Sequence, residues 1–180
     1  MDRTAKFKIS KIDAARRQLH SAIVLYFNDA DPVPIHTLTA ASYNILRDIT
    51  KAHGKPSMLV KDRMIERIKP GREKFVRDKI NEAENFFKHA DKDPAGTLDF
   101  SPVETELLMF DACLQYQIIT DEAIQALKIY ELWFLLHNKN LFNLPAQISV
   151  LTNKIGRDLG TMAKNEFFKT VSPLFFANNA

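Results

Sequence analysis

Apolar residues recur at three- and four-residue steps along almost the whole chain, and strict alternation is scarce. The first pattern belongs to helices with one buried face, the second to half-buried strands. The spacing therefore predicts an all-α protein, a multi-helix bundle of about seven helices. Only five glycines in 180 residues point the same way, because a turn-rich β fold uses more.

The first helix is expected after Ser10, a side chain suited to capping, with Ile12, Ala15, Leu19, Ala22 and Tyr26 on one face. Asn28-Asp29-Ala30-Asp31-Pro32 stops it, since proline cannot continue a helix and biases its predecessor away from helical angles. A second helix over 34–52 presents Leu38, Ala41, Ile45 and Ile49, so the chain opens with an antiparallel helical hairpin. A short basic helix is expected over 58–68 and a long one over 73–90, with Val76, Ile80, Ala83 and Phe87 in line. Residues 91–101 form a loop, and Ser101-Pro102 begins a helix that runs to Ile118. From Thr120 to about His137 a further helix is apolar nearly all round, which requires a central place or a partner on its second face. A last helix is expected over 145–162, before a tail with four phenylalanines. Residues 1–10 read as a tail, 11–137 as the bundle, and 138–180 as an extension that packs on the bundle or on a second subunit.

Segregated charge narrows the partners. Residues 51–80 hold ten Lys or Arg against four acids, whereas 81–131 hold three against eleven. Arg63, Arg67, Arg72 and Lys79 are the candidate nucleic-acid contacts, able to meet phosphates without reading sequence. The stretch reads as lacking an interleaved aromatic platform for bases, and its acids can pair with its cations locally. Nucleic acid is thus not the favoured partner. The first eleven residues have no apolar core of the signal-peptide kind, and no apolar run, 132–136 included, approaches the ~20 residues of a membrane span. The cytoplasm is the expected compartment. The single cysteine, Cys113, cannot form an internal disulfide and sits in an apolar run as an inert core thiol.

The most distinctive segment runs from Glu84 to Asp99. Its end, Asp91-Lys92-Asp93-Pro94-Ala95-Gly96-Thr97-Leu98-Asp99, resembles the calcium loop of EF-hand proteins, with acids at positions one, three and nine and glycine at six. Position five is Ala95 and position twelve is Pro102, so two ligand positions have no oxygen to offer. No two histidines share the i,i+4 spacing of a helical metal pair. Neither a metal nor a cofactor is expected.

Its beginning, Glu84-Asn85-Phe86-Phe87-Lys88-His89, resembles the RNxxxH motif of HEPN domains, the bacterial and archaeal helical bundles of toxin–antitoxin and defence systems. The opening hairpin and the helix after an acidic loop extend that resemblance over about residues 11–137. Asn85 and His89 stand at the motif's spacing, but the Arg position is Glu84. In such nucleases the histidine acts as acid or base and the arginine stabilises the phosphate's developing charge, which a glutamate would repel. The resemblance thus implies a non-catalytic relative, a homodimer or a protein-binding module. The alternative is an RNA-directed nuclease or toxin–antitoxin component using His89, oriented by Asn85, with a cation such as Arg77 brought from elsewhere. The segments DPVPIHTLTAASYNILRD and NFFKHADKDP look like those of bacterial proteins of unknown function, which implies no activity. His36, at the start of the second helix, is expected to join Asn85, Lys88, His89 and Asp91 around a polar binding pocket, with Tyr43 nearby.

Overall fold

A computed structural model describes residues 6–91, 93–141, 156 and 158–176. It is an all-α multi-helix bundle, with no strand among the described residues. Helix α1 (Lys11–Phe27) starts where Ser10 Oγ accepts the Asp13 amide at 3.1 Å, and buries Ala15, Leu19, Ala22, Ile23, Tyr26 and Phe27. Asp29, in the left-handed region at φ 49°, turns the chain. Asp31 then caps α2 (Pro32–Ala52) by accepting the Val33 amide at 2.8 Å. Ser42 Oγ donates to the Ala15 carbonyl across the hairpin at 2.9 Å, fixing an antiparallel pair in which small residues meet.

Helix α5 (Val103–Thr120) packs on α2 and supplies Leu108, Met109, Phe110, Ala112, Cys113 and Tyr116 to the core. It ends at Asp121, again left-handed at φ 57°, so α6 (Gln125–His137) begins five residues later than the sequence suggests. The all-round apolar character of α6 is met from within the chain. Tyr130 sits edge-on to Tyr26, Phe134 stacks on Phe110 at 4.5 Å, and Trp133 meets Phe167 at 4.9 Å. Phe167 belongs to α7 (Lys164–Phe176), where it and Val171 enter the core while Phe168 stacks on Phe27 at 4.8 Å. Most of the helix expected over 145–162 lies outside the described residues.

Two expectations are corrected. The basic segment 58–68 is a π turn (Leu59–Arg63) followed by a 3₁₀ turn (Ile65–Arg67), not an α-helix. The long helix expected over 73–90 breaks at Asn81 into α3 (Glu73–Ile80) and α4 (Glu82–Lys88). Asn81 Nδ2 donates to the Arg77 carbonyl at 2.8 Å, a side-chain bond of the kind that competes with helix continuation. None of the residues of α3 is buried, although Ile80 packs partly against the core. No helix among the described residues is long and apolar enough to cross a membrane.

Candidate functional site

The surroundings of α4 are organised by a polar network that the sequence does not announce. Asp111 faces inward from α5 and accepts three hydrogen bonds, from the amides of Leu59 (3.1 Å) and Val60 (2.9 Å) and from the Tyr43 hydroxyl (2.7 Å). Tyr43 Oη in turn accepts the Lys61 amide at 3.1 Å. These partners bind the π turn to the bundle from two helices, Asp111 of α5 lying 51 and 52 residues from the amides it accepts and Tyr43 of α2 lying 18 from Lys61. Burial raises the Asp111 carboxyl against the lowering effect of its donors, and it raises the Tyr43 phenol as well. Beside them, Asp62 is bridged by Arg47 at 2.6 Å and Lys51 at 3.5 Å. A lone aspartate at an inward position of the run LMFDACLQY was the available signal for this network.

Lys61 leads on to the motif. Its ammonium lies 2.7 Å from Glu84, with side chains only 4% and 9% exposed. Asn44 also holds both partners, donating to Glu84 at 2.6 Å and accepting from Lys61 at 3.1 Å. Lys88, one turn further on, reaches back to Glu84 at 2.6 Å. Burial would push the Glu84 carboxyl up, but the hydrogen bonds of Lys61 and Lys88 prevail and hold it below the ordinary range. Burial in turn draws the Lys61 ammonium down, partly offset by Glu84. Glu84 is therefore a structural anchor pointing into the bundle.

Asn85 and His89 go the other way. They lie one turn apart, exposed, on a concavity of about 690 Å³ together with Asp91, Phe86 and the loop residues Thr97 and Leu98. Its other lining residues are Asp93 and Glu82, the latter paired with Lys79 at 2.7 Å, and among the described residues no Lys or Arg lines it. The carboxylates of Asp91 and Asp93 in that lining favour a cationic group over a phosphate.

Of the five residues expected around one pocket, the structure thus brings together Asn85, His89 and Asp91. Lys88 turns to Glu84. His36 is buried at 1% exposure, with Nδ1 2.8 Å from Thr105 Oγ1 and its ring edge-on to Phe87 and Phe100. Burial lowers its pKa, more than the nearby Glu84 charge raises it. Tyr43, expected near that pocket, belongs to the Asp111 network.

The candidate nucleic-acid residues Arg63, Arg67, Arg72 and Lys79 are all exposed. Lys79 pairs with Glu82 at 2.7 Å and Lys74 with Asp78 at 2.6 Å. Arg63, Arg67, Arg72 and Arg77 have no acidic partner within 4.0 Å among the described residues. One reading of this stretch is corrected: an aromatic is interleaved, because Phe75 stands among these cations and is 60% exposed. No group of three or more His, Cys, Asp or Glu side chains among the described residues is placed to hold a metal ion.

Comparison with protein-family models, with curated proteins and with solved structures returns no match.

Proposed function

We propose that this chain is a non-enzymatic, HEPN-like helical interaction protein. The observation that carries this reading is the fate of Glu84. A phosphate-stabilising cation belongs at its position in the motif, and its side chain instead anchors Lys61 inside the bundle. His89 shares its concavity with Asp91 and Asp93, a setting that raises the local cost of bringing an RNA phosphate near it. Exposed surface is also differentiated, acidic around His89 and basic along 63–79, as a protein that docks others would have it. Homodimerisation and a cytoplasmic location belong to the same proposal. Sedimentation equilibrium at micromolar concentration tests the dimer, and a monomer throughout would remove it.

The alternative is an RNA-directed nuclease, or a toxin–antitoxin component, with His89 as acid–base. Its support is that Asn85 and His89 share one exposed concavity. Incubation with labelled single-stranded RNA at low and moderate salt, beside His89→Ala, separates the two. Cleavage by neither protein is the expected result. Cleavage by the native chain that His89→Ala abolishes would overturn the interaction reading.

A further inference from the structure

The walls of the concavity around His89 come from α4 and from the loop that follows it. From Asn85 to Glu104 none of the described residues is buried, and the half-buried ones are Phe86, Phe87, Leu98 and Phe100. Phe86 and Leu98 line the concavity itself. Phe87 and Phe100 lie edge-on to each other at 5.1 Å, and both stand edge-on to the His36 ring of α2, at 5.6 and 5.2 Å. Towards its start α4 is also held by buried Ala83 and by the Glu84–Lys61 pair. Its last turn and the loop meet the bundle at His36. The fixing of that ring is incomplete. Nδ1 lies 2.8 Å from Thr105 Oγ1 of α5, whereas Nε2 is buried without a hydrogen-bond partner among the described residues. A neutral imidazole meets this with its proton on Nδ1 and a lone pair at Nε2. A second proton finds no acceptor at Nε2 and sets a charge against two phenylalanine rings.

We propose that His36 is a pH-sensitive latch on the concavity: the neutral ring keeps the last turn of α4 and the loop seated, and its protonation releases both. Burial weighs most against the cation. Among the charged groups facing the ring, Glu84 of α4 favours the cation, while Lys61 of the π turn and Lys88 of α4 oppose it. α5 meets the ring with Thr105 and the loop meets it with Phe100. Once released, His36 is an ordinary histidine. Release therefore gains as pH falls below 6.5, and goes on gaining until the seated ring itself titrates at its lowered value. One proton taken up per release makes that gain up to about tenfold per pH unit. The latch regulates the surface on which the interaction reading rests. Its readout needs no ligand, so its failure is distinguishable from failure in the RNA-cleavage test.

The test is amide hydrogen exchange of the intact chain at about pH 7.5 and about pH 5.5, either side of the ordinary histidine value. Rates are expressed against those of an unstructured chain at the same pH. The reporters are the Asn85 and His89 amides, which donate to the Asn81 and Asn85 carbonyls at 2.9 and 3.0 Å. Their protection is expected to fall by up to about tenfold at the lower pH, while the centre of α5 keeps its own. His36→Phe fills the place with a ring that cannot titrate, and His36→Gln retains a donor towards Thr105. Each should remove the pH dependence, whatever it does to the level of protection. His89→Gln should leave the dependence in place. Glu84, held below its ordinary 4.5, stays ionised over this range and keeps its hold on Lys61. Equal protection at both pH values in the native chain would overturn the latch. So would a pH dependence that survives both His36 variants, one that His89→Gln abolishes, or a loss shared equally by α1 and α5.

Discussion

Glu84→Ala isolates what the motif residue does. In the native chain the Lys61 ammonium has two hydrogen-bond partners, Glu84 at 2.7 Å and Asn44 at 3.1 Å, and its side chain is 4% exposed. Removing the carboxylate leaves a buried cation with one neutral acceptor. Breaking a buried pair in this way costs about 3–5 kcal/mol, a large fraction of the ~5–15 kcal/mol that holds a domain together. The Lys88 contact, on the solvent side of the same carboxylate, accounts for less than about 1 kcal/mol of this. Lys61→Met in the Glu84→Ala background should return most of the loss, because the aliphatic stem is kept and the stranded charge is gone. Urea unfolding suits the measurement, read from the chain's single tryptophan, Trp133, in the core. Lys88→Ala serves as the small-effect control. A loss below about 1 kcal/mol for Glu84→Ala, or no recovery on adding Lys61→Met, would refute the anchoring role. Glu84→Arg should destabilise the fold by setting a guanidinium against Lys61.

Asp111→Ala deprives the Leu59 and Val60 amides and the Tyr43 hydroxyl of their acceptor, and should cost at least about 3 kcal/mol. Hydrogen exchange at Leu59 and Val60 should accelerate well beyond that of α1; unchanged protection would refute the link. The pairs of Asp62 and Glu84 hold both carboxyls below their ordinary values of 3.8 and 4.5. Their stabilisation is complete above those values and is lost as pH falls through the depressed ones. Asp111 and Glu131, raised by burial, act in the opposite sense, giving up stabilisation as pH rises through their raised values. The urea midpoint should therefore fall below pH about 4.5, and fall less steeply in Glu84→Gln; identical slopes would count against the assignment. Phe167→Ala removes a fully buried ring that joins α7 to Trp133 and Phe27, and should cost about 3–5 kcal/mol in thermal or urea unfolding.

What the sequence made legible follows from how local each determinant is. Helices α1, α2, α5 and α6 announce themselves because apolar residues repeat every three or four positions, and the starts of α1, α2 and α5 carry a cap or a proline. The start of α6 has neither, and on α2 the expected Leu38, Ala41, Ile45 and Ile49 are only partly buried, the buried face running through Ile35, Tyr43 and Leu46. The π turn was not legible. Arg63 and Met64 donate to carbonyls five residues back, at 3.0 and 2.8 Å, while the first amides are taken by an aspartate on a helix far along the chain. The break at Asn81 was hidden for a different reason: Val76, Ile80, Ala83 and Phe87 keep helical spacing across it, and only Ala83 is buried. At the candidate site, spacing correctly set Asn85 one turn from His89. It could not show that Glu84, one position earlier, faces the opposite way towards a lysine from the π turn. His36 was drawn to the pocket by its place at a helix start, whereas its ring is held among Phe87, Phe100 and Thr105.

Cys113 has no exposed surface, and burial pushes its thiol well above the usual range. As the chain's single cysteine, it makes the native protein silent to maleimides and disulfide reagents. A cysteine introduced at an exposed position such as Lys74 then becomes the one reactive handle, ready for a dye or spin label on α3. Left alone, Cys113 becomes a clock. Its labelling under native conditions counts the moments when the centre of α5 opens, so a single mass measurement over time reads the core's opening free energy without denaturant.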